Sequence, residues 1–518
     1  MEDSQSEKKL KQFIEKITAF ASKTGIAFTS GTIYGGFAGF WDYGHVGVEI
    51  KNKIKNQWWN DFVRNRDDIY GYDGAIITHP KVWEASGHVA GFADPLVFCI
   101  GKCKKKIRLD HLLEDELKIH PENLSIEEMF ELAKEKDLKC PDCKGDLGEP
   151  VKFNLMLKTQ VGPVEDSSSV SYLRPENAQS IFSSFKNTLD SLRVKTPFGI
   201  AQVGKVFRNE ISPRNFLFRV REFELAEFEY FTDPDKIDEC PDFDELSSTN
   251  IHIYSEDDQI NDLKKDYREM SLQDAWDNKI FKNKWQAYWL TEFFLWFNKL
   301  GIKKKNMRFR QHLKNELSHY ALDTWDLEYK YSFGFKELMG CANRTQFDLK
   351  QHENYSKVKM QMQEQSQDGL KRYIPFVVAE PSMGIGRILL ALLAEGYTEE
   401  EVKGRPRVVF KLSPKLAPYD VAIFPLQKDD KLVSKAKEIF KQLRKDDFVS
   451  ILDIGGSIGK KYRRQDEIGT PFCVTVDFES LDDNSVTIRD RDSMEQIRVP
   501  ITQIADEIRR KQLEYSVD

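Results

Sequence analysis

The chain has 518 residues, a length that predicts roughly three or four domains. Its composition, 40% hydrophobic and 31% charged, is typical of a soluble globular protein and excludes a membrane-embedded one, since no apolar run approaches the roughly 18 residues of a membrane span. The net charge of −7 excludes a global positive field, so any contact with nucleic acid requires local basic patches.

The first 25 residues carry charges scattered through an amphipathic helical pattern, without the apolar core and cleavage site of a secretory signal. This pattern predicts a cytoplasmic protein. Seven cysteines are too few for a disulfide scaffold, so in that compartment we expect reduced thiols.

Along the chain, residues 48–65 predict a long helix, and residues 73–80 predict a strand closed by Pro80. Residues 99–149 form an insert of different composition, charged and helical in the middle, with a cysteine pair at each end. We predict a hairpin at residues 198–231 from two extended runs joined by turn formers.

The second run of this hairpin brings charge and aromatic rings together. Because side chains alternate along a strand, one face would hold Arg219, Arg221, Phe223, Leu225 and Glu227. A mixture of this kind is unsuited to a plain core, since unpaired charge is costly to bury. The pattern indicates a binding site, or else a solvated hairpin with cross-strand salt bridges.

Beyond the hairpin, residues 232–305 predict a second, helical insert that caps another part of the fold. Residues 403–418 concentrate proline and basic residues, which favours a linker. Strands alternating with helices over 415–518 predict a small mixed α/β domain.

Arg208-x-Glu210, followed by a loop and Arg219-x3-Phe223-x3-Glu227, resembles motif 2 of the class II aminoacyl-tRNA synthetases. That motif holds ATP, with arginines on the phosphates and a phenylalanine stacked on adenine. The guanidinium fork suits phosphate oxygens and an aromatic face suits a purine. From motif 2 the resemblance implies these ATP-binding residues: Arg208, Asn209, Glu210, Phe218, Arg219 and Phe223.

"PFVVAEPSMGIGRILLALLAEGY" resembles motif 3 of the same class, a strand leading into a helix with Gly384, Gly386 and Arg387 at the junction. Taken alone, this segment is equally typical of a tight strand-to-helix turn. The unit at 48–80 resembles motif 1, which forms the dimer interface in that family. Together the motifs imply an α/β (α+β) catalytic core over 1–405, built on an antiparallel sheet flanked by helices, with three catalytic arginines: Arg208, Arg219 and Arg387.

Within the class, "TSGTIYGGFAGFWDYGHVG", "HPKVWEASGHVAGFADP" and "GFKELMGCANRTQFDLKQH" resemble the homodimeric glycyl-tRNA synthetases, and the likeness extends over nearly the whole chain. The chain departs from the family at Asn177, Ser180 and Lys336, which concerns the detailed shape of the pocket. The resemblance implies binding of glycine, ATP, Mg²⁺ and glycine tRNA, with Glu337 and Leu338 also near ATP.

The same resemblance implies a glycine pocket walled by acidic groups. Glycine offers an ammonium, a carboxylate and two hydrogens, so specificity requires pairing the ammonium while excluding any side chain. The substrate-binding residues implied are Arg108, Glu176, Phe223, Glu224, Glu227, Glu380 and Ser382. Two alternatives stay open: a non-catalytic nucleic-acid-binding relative, and a class II synthetase for another small amino acid.

Two cysteine pairs, Cys99-x3-Cys103 and Cys140-x2-Cys143, supply the four soft ligands that a structural Zn²⁺ prefers. The alternative is a set of reduced thiols that bind nothing. Residues 415–518 resemble an anticodon-binding domain, in which "GKKYRRQDEIG" could contact phosphates and Tyr462 could stack on a base. A solvated charged loop would explain that segment as well.

Overall fold

The structure, a computed structural model, describes residues 2–117, 119, 121, 124–164, 169–261, 265–366 and 369–515. Within those ranges no helix combines the length and apolar character needed to cross a membrane. The elements before the hairpin are α1 (Glu2–Lys23), β1 (Ala27–Thr29), β2 (Trp41–Tyr43), α2 (His45–Trp59), β3 (Ile69–Gly71), α3 (Pro80–Ala85), α4 (His88–Gly91), β4 (Ala93–Phe98), β5 (Lys106–Arg108), α5 (Leu109–Leu117), α6 (Ile126–Glu135), β6 (Val151–Asn154), β7 (Lys158–Gln160), β8 (Val170–Tyr172), α7 (Ala178–Ser183) and α8 (Phe185–Ser191).

The hairpin and the elements after it complete the catalytic part of the chain. They are β9 (Phe198–Phe207), β10 (Glu222–Thr232), α9 (Phe243–Leu246), β11 (Asn250–Tyr254), α10 (Glu256–Ile260), β12 (Arg268–Ser271), α11 (Leu272–Asp277), α12 (Lys284–Leu300), β13 (Met307–Gln311), β14 (Asp323–Tyr331), β15 (Gly334–Asn343), α13 (Phe347–Ser356), β16 (Met362–Ser366), β17 (Gly369–Tyr373), β18 (Phe376–Gly384), α14 (Ile385–Gly396), β19 (Tyr397–Val402) and β20 (Arg405–Phe410).

A large sheet organises this part, with strands in the order β12-β11-β13-β14-β15-β18-β10-β9-β3. Neighbouring strands are antiparallel except for the pairs β3/β9 and β11/β13. Helices α12 and α14 pack against it in the main hydrophobic core. The predicted fold class, an antiparallel-rich sheet flanked by helices, is confirmed.

The predicted strand at 73–80 is wrong. The strand lies earlier, at Ile69–Gly71, where it pairs in parallel with β9, and residues 73–79 have no regular strand. Pro80 begins helix α3, because proline has the backbone angle of a first helical residue and no N–H to leave unpaired. The predicted helix is present as α2, which continues into a π-helical turn at Asn60–Arg64.

The prediction of a separate helical insert at 232–305 also needs correction. Strands β11 and β12 extend the large sheet, and α12 lies in the main core. Helix α12 is apolar on nearly all sides, with Trp285, Trp289 and Phe293 fully buried. A helix of this composition is a core helix, since a capping helix would keep a polar face towards solvent.

The cysteine-bearing insert has a small sheet in the order β5-β4-β6 and a core shared with α5 and α6. Beyond residue 415 the elements are β21 (Val421–Pro425), α15 (Asp430–Lys445), β22 (Ser450–Leu452), α16 (Ile458–Ile468), β23 (Phe472–Val476), α17 (Glu479–Asp483), β24 (Ser485–Asp490), β25 (Gln496–Pro500) and α18 (Ile504–Glu514). Their mixed sheet encloses a separate hydrophobic core, as the alternating pattern predicts. The predicted linker differs, because β20 within it pairs with β19 as a hairpin.

Candidate active site

The hairpin of β9 and β10 separates the main core from the candidate site. Along β10, Ala226, Phe228 and Tyr230 lie in the main core. Phe223 and Glu227, on the alternate face, line cavities on the other side of the sheet. The predicted hairpin is confirmed, and its alternation explains how one strand serves both a core and a site.

Arg221 does not share the face that alternation predicts for it. Its Nη1 donates a hydrogen bond to the Ala38 carbonyl at 2.8 Å, and its Nε donates to the Glu210 carbonyl at 3.0 Å. The regular strand begins at Glu222, so residues before it follow the path of the loop instead of the pleat.

One cavity collects side chains from the hairpin, its loop and the β18–α14 junction. It is lined by Arg208, Glu210, Leu217, Phe218, Arg219, Val220, Phe223, Gly384, Gly386 and Arg387. The Arg208 guanidinium lies 5.5 Å from the centre of the Phe223 ring. Motif 2 and motif 3 residues, distant in sequence, therefore form one wall of positive charge around an aromatic face.

Charge in this cavity is only partly balanced. The Arg387 Nη1 lies 2.8 Å from the Glu337 Oε2, whereas the nearest oxygen of Glu210 is 3.9 Å from the Arg219 Nη1. Burial lowers the pKa of Arg219, and its arginine neighbours, among them Arg108 and Arg387, lower it further. An anion placed here would relieve that repulsion, as phosphate groups do beside clustered arginines.

A second cavity adjoins the first and shares Arg208 with it. Its lining is acidic and polar, and includes Glu176, Glu227, His312, Ser318, Tyr320, Thr324, Asp326, Glu337, Glu380 and Ser382. The Ser382 hydroxyl donates to the Glu227 Oε2 at 2.6 Å, and the backbone N–H of Asn177 donates to the other oxygen of the same carboxylate. Asn177, one of the positions at which the chain differs from the family that it resembles, therefore lies directly beneath this pocket.

The carboxylates of the acidic cavity differ in protonation. Burial raises the pKa of Glu380 to about 8, although Arg344 opposes the shift from 2.8 Å. Burial acts on Glu176 too, but His88 and Arg344 hold the pKa of that carboxyl well below its usual range. Burial also raises the pKa of Glu227. The pocket can thus accept a cation without holding every carboxylate ionised beforehand.

Sequence reasoning missed several residues here. Arg344 is fully buried, pairs with Asp348 at 2.8 Å as well as with Glu380, and lies 3.8 Å over the Tyr320 ring. Burial alone would lower the pKa of His312. The Asp326 carboxylate, 3.0 Å away, outweighs burial and raises that pKa to about 9. The sequence signal that could have revealed this pair is the spacing of Arg344 and Asp348, four positions apart at the start of α13.

Four predicted residues lie outside both cavities. Glu224 turns to the opposite face of β10 from Phe223, where Lys51 and Lys55 pair with it at 2.6 and 2.9 Å. The other three are as follows: Leu338 is fully buried in the core, Asn209 donates its backbone N–H to the Leu155 carbonyl, and Arg108 pairs with Asp94 and Asp110.

The four predicted metal ligands come together. The Sγ atoms of Cys99, Cys103, Cys140 and Cys143 all lie within 4.8 Å of one another, with individual pairs at 3.3 to 3.5 Å. Zn–S bonds of about 2.3 Å in a tetrahedron separate sulfurs by about 3.8 Å, so the set fits Zn²⁺. A Cβ on Gly101 would approach the Gly145 Cα to 2.9 Å, so the two turns close only with glycine there.

Two carboxylates beside the arginine cavity have the chemistry of a Mg²⁺ site. The carboxylates of Asp326 and Glu337 both flank Gly340, whose added Cβ would lie 3.6 and 3.7 Å from them. Mg²⁺ needs one or two protein carboxylates and takes its remaining ligands from phosphates and water. These two acids beside the arginine cavity fit that requirement.

The segment predicted to contact tRNA in the C-terminal domain forms helix α16, and part of it points inward. Lys461 is buried and donates to the Pro425 carbonyl at 2.7 Å. The Tyr462 hydroxyl is 2.7 Å from the Thr475 Oγ1, and the Arg489 guanidinium covers its ring at 4.8 Å. The prediction of base stacking by Tyr462 is therefore wrong, because that ring is already packed against protein.

Comparisons with known proteins match both parts of this architecture. Residues 163–396 match the tRNA synthetase class II core domain (G, H, P, S and T), and residues 420–511 match the anticodon binding domain. The chain is 43% identical over 507 residues to a glycine–tRNA ligase of Treponema denticola, covering 97% of this chain and 98% of the relative. Identity is 45% over 501 residues with that of Caldanaerobacter subterraneus subsp. tengcongensis (96% and 97% covered), and 42% over 504 residues with that of Bacillus thuringiensis subsp. konkukian (96% and 99%).

Proposed function

This chain belongs to the class II tRNA synthetases and, among them, to the glycine–tRNA ligases, and from that premise we propose which residues perform the reaction. The enzyme activates glycine with ATP and transfers the glycyl group to glycine tRNA. Relatives at this identity do not favour either alternative, a non-catalytic accessory protein or a synthetase for another small amino acid. A cytoplasmic location stays a prediction.

The arginine cavity is the proposed ATP site. One observation carries this proposal: Arg208, Arg219 and Arg387 reach one cavity from different elements, around the Phe223 ring and beside the acidic pocket. Phe223 would stack on adenine, and the arginines would bind the triphosphate. Asn209 and Leu338, which lie outside the cavity lining, would contribute through their backbone at most.

Chemistry at this site depends on position and charge. A carboxylate oxygen of glycine attacks the α-phosphorus in line, the P–O bond to pyrophosphate breaks, and the arginines offset the developing negative charge. Glu337 and Asp326 would hold Mg²⁺, which when bound neutralises phosphate oxygens. No general base is required, because the glycine carboxylate is already ionised.

The acidic cavity is the proposed glycine site. Glu176, Glu227 and Glu380 would pair with the ammonium, and the Ser382 hydroxyl orients Glu227 through its 2.6 Å hydrogen bond. Arg108 and Glu224 are not assigned a direct contact with glycine, because each already forms an ion pair outside the cavity. A side chain larger than hydrogen would meet these buried carboxylates.

Glycine-dependent exchange of labelled pyrophosphate into ATP tests both assignments. We expect Arg208→Ala and Arg387→Ala each to lower the exchange rate by roughly 100-fold or more, because each removes transition-state stabilisation. Arg405→Ala, an exposed arginine on β20, is the matched control. Wild-type exchange rates in the two cavity variants, or alanine supporting exchange as well as glycine, would overturn the assignment.

We further propose a structural Zn²⁺ held by the four cysteines.

We also propose a homodimer whose interface includes the loop between β1 and β2. In that loop Ile33, Tyr34 and Phe37 are 86, 88 and 62% exposed. Three large apolar side chains exposed together indicate a surface that is covered by a partner. Sedimentation of Tyr34→Glu should shift towards monomer, whereas Leu513→Glu, a residue 79% exposed on α18, should not shift. A monomeric wild-type protein would refute this proposal.

The C-terminal domain is the proposed anticodon-binding part, supported by its match to that family. The tRNA acceptor end would enter beside the arginine cavity, where the adenylate forms.

A further inference from the structure

The closest described hydrogen-bond partner of the Arg219 guanidinium lies in the cysteine-bearing insert. Its Nη1 lies 3.2 Å from the Nε2 of His111, on α5, compared with 3.9 Å to the nearest Glu210 oxygen. Helix α5 follows β5 directly, and β5 pairs with β4 across the turn that contains Cys99 and Cys103. The His111 side chain therefore brings the insert into contact with a residue that lines the arginine cavity.

His111 is suited to accept a hydrogen bond and not to carry charge. The charged groups facing it are Arg108, Asp110, Arg214 and Arg219. Burial together with the arginines lowers the pKa of His111 to about 3, and the single aspartate opposes that shift only in part. At neutral pH the imidazole is uncharged, and the contact assigns its lone pair to Nε2 and its proton to Nδ1.

A neutral acceptor does what a carboxylate could not do at this position. A carboxylate at 3 Å would fix the guanidinium and also neutralise it, which would weaken its attraction for a phosphate. A neutral imidazole orients one nitrogen and leaves the positive charge available to the ligand. Glu210, at 3.9 Å, balances Arg219 less directly.

The position of His111 is set by the core of the insert. Leu109, Leu112 and Leu113, on the other face of α5, are buried with Cys99 and Cys140 in one hydrophobic cluster. Movement of the cysteine turns would therefore move α5 as a unit. The Arg108–Asp94 ion pair at 2.7 Å ties the same segment to β4.

We infer that His111 is a positioning residue for the nucleotide: its Nε2 accepts a hydrogen bond from Arg219 and orients that guanidinium, and through this contact the four-cysteine insert is coupled to the proposed ATP cavity. This inference rests on the proposed role of Arg219 towards ATP. It assigns the insert a part in the first half-reaction.

The test compares variants that keep or remove the acceptor. Glutamine places an amide oxygen near the Nε2 position, so His111→Gln should keep the KM for ATP in pyrophosphate exchange within about 3-fold of wild type. His111→Leu should raise that KM about 10-fold while the KM for glycine stays within 2-fold. Glu116→Leu, an exposed position on the same helix, controls for the apolar substitution. Thermal denaturation verifies that every variant is folded.

A double-mutant cycle separates this inference from the proposed ATP site. If Arg219→Ala leaves the KM for ATP unchanged, the assignment of Arg219 fails. If Arg219→Ala raises it but His111→Leu does not, or if the two effects add in the double variant, the positioning role fails alone. If His111→Gln and His111→Leu are equally impaired, the residue is merely structural. The pH dependence gives one more outcome. If the KM for ATP changes around pH 6.5 in wild type but not in His111→Gln, then His111 itself gains a positive charge in that range, which would also overturn the inference.

Discussion

Single residues in the acidic pocket show how an excess of carboxylates can be buried. Arg344 is the buried cation that faces Glu176, Asp348 and Glu380. Burial and Glu380 raise the pKa of Glu229 well above its usual range, which holds that group neutral. Protonation of Glu229 therefore balances part of the charge that Arg344 does not, close to the cavity proposed for the glycine ammonium.

Glycine binding should therefore depend on pH through Glu380. Its pKa near 8 in the free enzyme means that the carboxyl is mostly protonated below pH 8, whereas an ammonium favours the ionised form. Binding at neutral pH must release that proton, so the KM for glycine should fall as pH rises from 6 to 8, by at most about tenfold per pH unit, and then level. Initial rates of pyrophosphate exchange across this range measure it.

Glu380→Gln is the decisive control for that pH dependence. The variant should bind glycine more weakly, with a KM that varies less between pH 6 and 8. Burial raises the pKa of Glu227 also, so Glu227→Gln reports how much of any remaining slope belongs to that group. The same steep slope in Glu380→Gln as in wild type would contradict the assignment.

At the scale of elements, the cysteine turns are the clearest case of a local sequence that specifies a local structure. The backbone N–H of Cys99 donates to the Lys105 carbonyl, and that of Cys140 donates to the Gly145 carbonyl. Each turn thus presents two thiols to the same point, before any metal is considered. The four ligands converge because the end of β4 and the segment before β6 lie side by side, joined by an antiparallel bridge between Cys99 and Leu147.

Purified protein should contain about one zinc per chain by elemental analysis, and Cys140→Ser should lower that content together with the stability of the insert. The reason is that metal-binding free energy contributes to folding wherever the site forms only in the folded chain. Cys473→Ser, a buried cysteine in the C-terminal domain, is the matched control and should keep the metal. Wild-type protein free of zinc after preparation without chelators would refute the site.

The elements also show where prediction from sequence succeeded and where it could not. The hairpin at β9 and β10 was predictable because alternation and turn formers are local signals. The place of α12 was not, because an aromatic helix pattern does not say which sheet will cover it. Pro80 was misread as the end of a strand, although proline is equally suited to the first turn of a helix.

The site was predictable only in part for the same reason. Arg208, Phe223 and Arg387 belong to motifs whose spacing is informative. Arg344 and His111 reach the site through contacts with residues distant in sequence, which no local spacing reports. Glu224 was included for its place in the motif, but the pleat turns it away from the cavity.

At the scale of the whole molecule, one carboxylate joins the catalytic part to the C-terminal domain. Asp466, on α16, is buried and lies 2.9 Å from the Nε of Arg407 on β20 and 2.9 Å from the Nη1 of Arg489 on β24. Lys53 on α2 pairs with Asp420 at 2.7 Å and adds a second link. The predicted linker is therefore a structured junction whose main ion pair is out of contact with water.

Removing that carboxylate should loosen the two parts without disabling chemistry. In Asp466→Asn the guanidinium groups of Arg407 and Arg489 lose their shared buried counterion, a change that typically costs about 3–5 kcal/mol. Because the proposed ATP and glycine cavities lie elsewhere, pyrophosphate exchange should stay within about 3-fold of wild type. The kcat/KM for tRNA should fall at least 10-fold, since both ends of the tRNA must be held at a fixed separation. Urea unfolding should change from one transition to two.

Asp482→Asn, an exposed residue of the same domain, controls for the loss of one charge. A single transition with the wild-type midpoint, together with unchanged tRNA kinetics, would show that the junction is held by other contacts.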